Sequence, residues 1–222
     1  MTEAPFRPFE THLNEAAALA TLRSATDGAD DGELFLERRR AESIVLDDGR
    51  IRQATYDASQ GFGLRAVRGE VAGYAHSTEI TEAALRRASE TARLAVGAGG
   101  GTLAASPRGT NIRLYRPDDP MLDAAFPVKI ELLREIDAYA RDLDPRVVQV
   151  SATLSASLQE VEILRPEGSR TADIRPMSRI NVSVMIEEAG RREQGGMGQG
   201  GRHGLAQLMT PVFIRKIVSI DV

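Results

Sequence analysis

The sequence predicts an α+β protein with helices packed on mainly antiparallel β meanders. Three observations carry this. A helix followed by strand-like runs occurs twice, around residues 13–77 and 127–192. The strand-like runs alternate apolar and polar residues and are divided by turn dipeptides, of which Asp48-Gly49 is the clearest hairpin signal because both central positions of that turn need φ > 0. A helix with strong end signals also lies between the two blocks. Strands that follow one another through tight turns pair antiparallel, with helices to one side. The two blocks are too unlike, residue by residue, to be a sequence repeat.

The elements follow in order. Leu13 to about Ser24 is rich in alanine and leucine and predicts a helix, which "DGADDG" (Asp27–Gly32) breaks. From Glu33 to Ser77, "ELFLERRR", "ESIVLDDGRIRQATYDA" and "GFGLRAVRGEVAGYAH" predict a meander of four or five strands, with a second tight turn at Arg68-Gly69. A helix then spans Glu82 to about Val96. Thr81 can cap it, Glu82 suits the positive end of its dipole, and Ile80 and Leu85 have staple spacing. Leu85, Ala88, Ala92, Ala95 and Val96 make its apolar face, and "GAGGG" (Gly97–Gly101) stops it. Gly97–Asp123 is loop-rich, with one short strand at Ile112–Leu114. Pro127 opens a third helix at its favoured first position. Leu132, Leu133, Ile136, Tyr139, Ala140 and Leu143 form its buried stripe, and Asp144-Pro145 ends it. Arg146–Arg192 returns to strand-like pattern.

Composition excludes several functions. The chain has 222 residues, enough for one largish domain or two small ones. With 28 basic and 32 acidic side chains the net charge is -4, which argues against a general nucleic-acid or anionic-membrane binder. The absence of cysteine removes disulfides, thiolate zinc sites and cysteine nucleophiles. No window approaches about 18 apolar residues, so no transmembrane helix is expected. The N-terminus lacks the basic start and apolar run of a signal peptide, and a cytoplasmic location is expected.

Candidate chemistry is sparse. The histidines, His12, His76 and His203, are far apart in sequence and lack metal-ligand spacing. The carboxylate pairs Asp30-Asp31, Asp47-Asp48, Asp118-Asp119 and Glu187-Glu188 are sequence neighbours, which point apart in a strand and are solvated in a turn. No nucleophile elbow occurs, and no serine has an obvious histidine partner. "SQGFGLR" (Ser59–Arg65) runs from strand into strand, not into the helix a dinucleotide site needs. "EEAGRREQGGMGQGGRHG" (Glu187–Gly204) holds seven glycines but no Walker lysine. It predicts a mobile loop or connector, with phosphate binding through backbone amides and arginines as the weaker reading.

Two of these segments, with the order of helices and meanders between them, resemble the N-terminal region of the TldD/PmbA family of metalloproteases. They are "SQGFGLRAVRGEVAGYAHSTEITEAALRRASETA" (Ser59–Ala92) and "RINVSVMIEEAGRREQGGMGQGGR" (Arg179–Arg202). The glycine segment looks closer to the TldD branch, and the resemblance covers about residues 10–211. It implies relatives roughly twice this length, which pair with a TldE/PmbA-like partner around a chamber and degrade or process peptides. Their zinc sits on a His-Glu-x-x-x-His helix in the C-terminal half, where histidines ligate and the glutamate activates water. No His-Glu pair occurs in this sequence. The resemblance therefore implies an N-terminal scaffold domain over 1–202, divisible into halves 1–100 and 101–202, inactive alone and without its own cofactor. "VFIRKIVSIDV" departs from the family, so 203–222 is an atypical tail, expected where a reading is truncated, frameshifted or split before the zinc domain. A stand-alone module that pairs with the TldE-like partner, or a gene remnant, are the alternatives. No family catalytic or metal residue maps onto this chain. The site expected here is a junction or substrate-contacting loop of Arg192, Gly195, Gly196, Gly198, Gly200, Gly201 and Arg202.

Overall fold

The computed structural model describes residues 4–97, 116 and 118–210. The predicted strand at Ile112–Leu114 and the tail from Pro211 onward lie outside the described residues. The elements are α1 (Pro8–Thr11), α2 (Glu15–Ala25), β1 (Asp31–Asp47), β2 (Arg50–Arg68), β3 (Val71–Ser77), α3 (Glu82–Val96), α4 (Phe126–Leu143), β4 (Val147–Leu164), β5 (Arg170–Glu188), β6 (Arg191–Gly201) and a 3₁₀ turn at Leu205–Gln207. The strands form one sheet in the order β3-β2-β1-β4-β5-β6. The fold class is α+β, and the helix-then-meander arrangement occurs twice, as α2-β1-β2-β3 and α4-β4-β5-β6.

Local chemistry explains the boundaries. Asn14, not Leu13, starts α2, because its Oδ1 accepts from Ala17 N at 3.0 Å. Thr81 caps α3 in the same way, accepting from Ala84 N at 3.2 Å, and Ile80 and Leu85 are both buried as the staple requires. Asp48 and Gly49 both have positive φ, 50° and 71°. The β2–β3 turn pairs Arg68 with Val71, so its central residues are Gly69 and Glu70, one position later than the sequence signal. Ala189 and Gly190, φ 51° and 79°, make a further two-residue turn between β5 and β6.

Three expectations are corrected. The first meander has three strands instead of four or five, because β1 and β2 run 17 and 19 residues without a break. The polar run "ERRRAES" does not interrupt β1: Arg38 and Arg40 are held by Glu160 and Asp119, at 2.7 and 3.0 Å. In α3, Ala95 is exposed, off the row formed by Leu85, Ala88, Ala92 and Val96. In α4, Leu143 is exposed in the last turn and Tyr139 is half-buried, while Lys129, absent from the predicted stripe, is buried.

The chain forms two compact units that interleave along the sequence instead of dividing once. One gathers the chain up to Arg39, the stretch beginning at Ser59, and Gln159–Ile174. Its core joins Leu22 of α2, Leu34 and Leu36 of β1, Phe62 and Leu64 of β2, Leu85 and Ala88 of α3, and Leu164 of β4. Ser89 Oγ donates to Thr21 O at 3.2 Å, tying α3 to α2. Gly73 lets α3 lie directly on β3, since a Cβ there would collide with the carbonyl of Ala92 and meet Val96 Cγ2 at 2.8 Å.

The second unit gathers Arg40–Ala58, the stretch ending at Leu158, and the stretch beginning at Arg175. α4 buries Leu132, Leu133, Ile136 and Ala140. β4 buries Val150, Ala152, Leu154, Ala156 and Leu158, and β5 buries Ile180, Val182, Val184 and Ile186. Lys129 Nζ is 2.6 Å from Glu42 Oε1 and donates to Met121 O at 2.7 Å. That charge is fully enclosed, and removing one partner of such a pair costs about 3–5 kcal/mol.

Gly73→Ala tests the α3–β3 contact. Overfilling of this kind costs about 1–3 kcal/mol. We expect a fall of that size in urea unfolding with the slope unchanged; wild-type stability would contradict the close approach.

Candidate functional site

The glycine-rich segment is where the structure departs most from the sequence reading. The expected loop is the strand β6. Its register on β5 is continuous, from Glu188↔Arg191 through Asn181↔Gly198 to Ser178↔Gly201. Arg192, Gly195, Gly196, Gly198, Gly200 and Gly201 all lie in this strand, and Arg202 follows it directly. The backbone amides of a strand point alternately to either side, so they do not converge on one anion as in a phosphate cradle.

The neighbours explain why this strand is glycine. Gly198 and Gly200 stand opposite Asn181 and Arg179. Arg179 Nε donates to Asn181 Oδ1 at 2.8 Å, and these two side chains lie across the glycines. A Cβ on Gly198 would collide with Asn181 Oδ1, and one on Gly200 would meet Arg179 Cβ at 2.8 Å and collide with Ser178 O. Gly196 is less confined, with Val182 O at 3.2 Å from the Cβ position. The arginines flank this floor. Arg192 Nε donates to Glu187 Oε2 at 2.7 Å.

β6 ends the sheet, and among the described residues no strand pairs with its outer side. Glu188 and Arg191 close a two-residue hairpin, so odd-numbered residues of β6 bond to β5. The N–H and C=O groups of Arg192, Gln194, Gly196, Gly198 and Gly200 therefore face outward. Such an edge can bond an extended chain while making few demands on its side chains.

The other candidates resolve into structural roles. His12 and His76 are exposed, His76 stacking on Tyr74 at 5.7 Å. His203 Nδ1 is 3.1 Å from Ser178 Oγ, a pairing the sequence did not suggest. Ser178 is fully buried and its hydroxyl donates to His203 O at 2.9 Å, so it holds the chain after β6 and is no nucleophile. The adjacent carboxylates are largely engaged. Asp30 accepts from Gly69 N, Asp31 pairs with Arg165, Asp47 accepts from Gln149, Asp48 pairs with Arg141, Asp119 with Arg40, Glu187 with Arg192, and Glu188 with Arg146. Among the described residues no group of three or more histidines, cysteines or carboxylates could hold a metal ion, and no helix is long and apolar enough to cross a membrane.

Two acids are perturbed in opposite directions. Hydrogen bonds from the Arg146 side chain, then its backbone N–H, hold Asp144 at about 2. Burial, opposed by Arg170, pushes Glu162 up. Sequence reasoning missed Glu160 and Glu162. The signal was present, because both occupy even positions in the otherwise apolar inward row of β4.

The chain belongs to the PmbA/TldD metallopeptidase family. Its residues 32–96 match that family's domain 1, and residues 119–218 match its central domain. It is 39% identical over 180 residues to the metalloprotease TldD homolog of Haemophilus influenzae, covering 79% of this chain and 37% of that protein. It is 34% identical over 194 residues to the TldD homolog of Buchnera aphidicola from Schizaphis graminum, covering 83% and 38%. The chain thus spans just over a third of these relatives' length. The crystal structure of TldE from Thermococcus kodakarensis shares the fold, with a TM-score of 0.71 at 15% identity over 91% of this chain and 46% of that one.

Asp144 supplies a pH test. Its carboxyl is depressed below the ordinary 3.8, so the stability it contributes is present above that value and lost as pH falls towards 2. Glu162, being raised, works the other way: its contribution favours the fold at low pH and is lost as pH rises through its folded pKa. Asp144→Asn is expected to flatten the acid limb between pH 4 and 2 in thermal melts. An acid limb identical to wild type would refute the Arg146 anchor.

Proposed function

We propose that this chain is the N-terminal scaffold and chamber-wall portion of a TldD-like zinc metalloprotease, and that β6 receives the substrate peptide as an added strand. Peptide processing in a cytoplasmic assembly with a TldE/PmbA-like subunit is the activity to which it contributes. Zinc and the groups that activate water belong to a C-terminal domain of the kind its relatives have, so this chain hydrolyses no peptide alone. Support for the family role comes from the two domain matches and the 39% identity to a TldD homolog. The single observation behind the substrate role is the outer edge of β6, where three of the five outward-facing backbone positions are glycine. Main-chain bonding of this kind suits a protease acting on unfolded chains of varied sequence.

The test is binding of a labelled, unstructured ten-residue peptide, read by fluorescence anisotropy. Gly196→Pro removes an outward N–H, and proline is tolerated at an edge strand on that side. One backbone hydrogen bond contributes about 0.5–1.5 kcal/mol, so the loss should approach tenfold, with unfolding unchanged. A peptide with methylated backbone nitrogens should not bind. Equal affinity for wild type, Gly196→Pro and the methylated peptide would sink the strand-addition reading.

A further inference from the structure

A cavity of about 300 Å³ lies in the first unit, between the N-terminal segment, β4 and the start of β5. That volume is at the lower end of small-ligand sites. Phe6, Val161 and Ile174 supply apolar wall, and Glu160, Glu162 and Arg170 supply charge. Glu160 is saturated: it accepts from Phe6 N at 3.0 Å and Arg38 Nε at 2.9 Å.

Glu162 is different. It is 3% exposed. Its cationic neighbour Arg170 is shared, because Arg170 Nη1 donates to Glu15 Oε2 at 2.7 Å. Arg170 Nη2 reaches Glu162 Oε1 only at 3.4 Å. Glu162 Oε2 lies 2.8 Å from Arg170 Nε, yet among the described residues nothing gives it a hydrogen bond of ordinary geometry. One guanidinium thus serves two carboxylates, and a buried carboxylate oxygen on the cavity wall has an ion pair to Arg170 but no well-aligned hydrogen bond among the described residues. Leaving such a group unsatisfied is unfavourable, and a cation that donates to it removes the deficit.

We propose that this cavity binds an alkyl guanidinium or alkyl ammonium group, with its N–H donating to Glu162 Oε2 and its methylene stem against Phe6, Val161 and Ile174. Arg170 then remains with Glu15. A guanidinium suits the site best, because its planar donors can bond a carboxylate while its weakly hydrated faces lie on apolar wall. The proposal is independent of peptide binding at β6, and either can fail alone.

The test is titration of the purified chain with butylguanidine, followed by amide NMR shifts and calorimetry. Butylurea, the same shape without the charge, is the control. We expect saturable binding of butylguanidine, with shifts at Val161, Glu162, Arg170 and Ala172 and none with butylurea. Glu162→Gln should weaken binding at least tenfold. Ala172→Leu fills the cavity without altering charge and should do the same, which guards against a folding effect of the first variant. Nα-acetyl-arginine amide binding more tightly than butylguanidine would support the proposal and assign the cation to a peptide side chain; weaker but saturable binding would support it and assign a free small cation. Equal response to butylurea, or wild-type affinity in both variants, would overturn it.

Discussion

Both units depend on the inward row of β4. Its even-numbered residues are buried from Val150 to Leu164. Val150, Ala152, Leu154, Ala156 and Leu158 serve one unit, and Glu160, Glu162 and Leu164 the other. Because a strand's side chains alternate, a slip of one residue would turn this whole row outward. The row also contains the main departure from apolar patterning, the two glutamates. Each brings an arginine inward from a different strand, Arg38 from β1 and Arg170 from β5. The polar interior of the first unit follows from those two positions.

The second unit has its own enclosed charges. Lys129 and Glu42 pair between α4 and β1, and Arg40 pairs with Asp119 just before Met121, whose carbonyl Lys129 also holds. Replacing such pairs with apolar residues is often neutral or stabilising, so their presence does not by itself argue for extra stability. What they fix is geometry: a helix, a strand and the segment before the helix are set by directional bonds.

The fold was legible in the sequence wherever local chemistry decides structure. Thr81 and Asp48-Gly49 act within a few residues and match the elements, and Pro127 falls one position later than expected because α4 begins at Phe126. The reading was weaker where partners are distant in sequence. "ERRRAES" looked like a break in β1 because Glu160 and Asp119, which accept its arginines, lie far along the chain. Lys129 was left out of the stripe of α4 for the same reason. "GGMGQGGR" looked like a loop because glycine is a poor strand former in isolation. The register on β5 and the Arg179–Asn181 pair above it make glycine the residue that fits, and neither is visible along one strand. The family resemblance led to the expectation of a loop at Arg192–Arg202, whereas residues 191–201 are a strand.

The glycine-rich segment is a strand paired on one side, with no strand on its other side among the described residues. Amide hydrogen exchange resolved by residue across 192–201 tests it most directly. A paired edge strand predicts alternation: slow exchange at residues 193, 195, 197 and 199, whose N–H groups bond to β5, and fast exchange at residues 192, 194, 196, 198 and 200. Uniformly fast exchange across the segment would mean a loop in place of a paired strand.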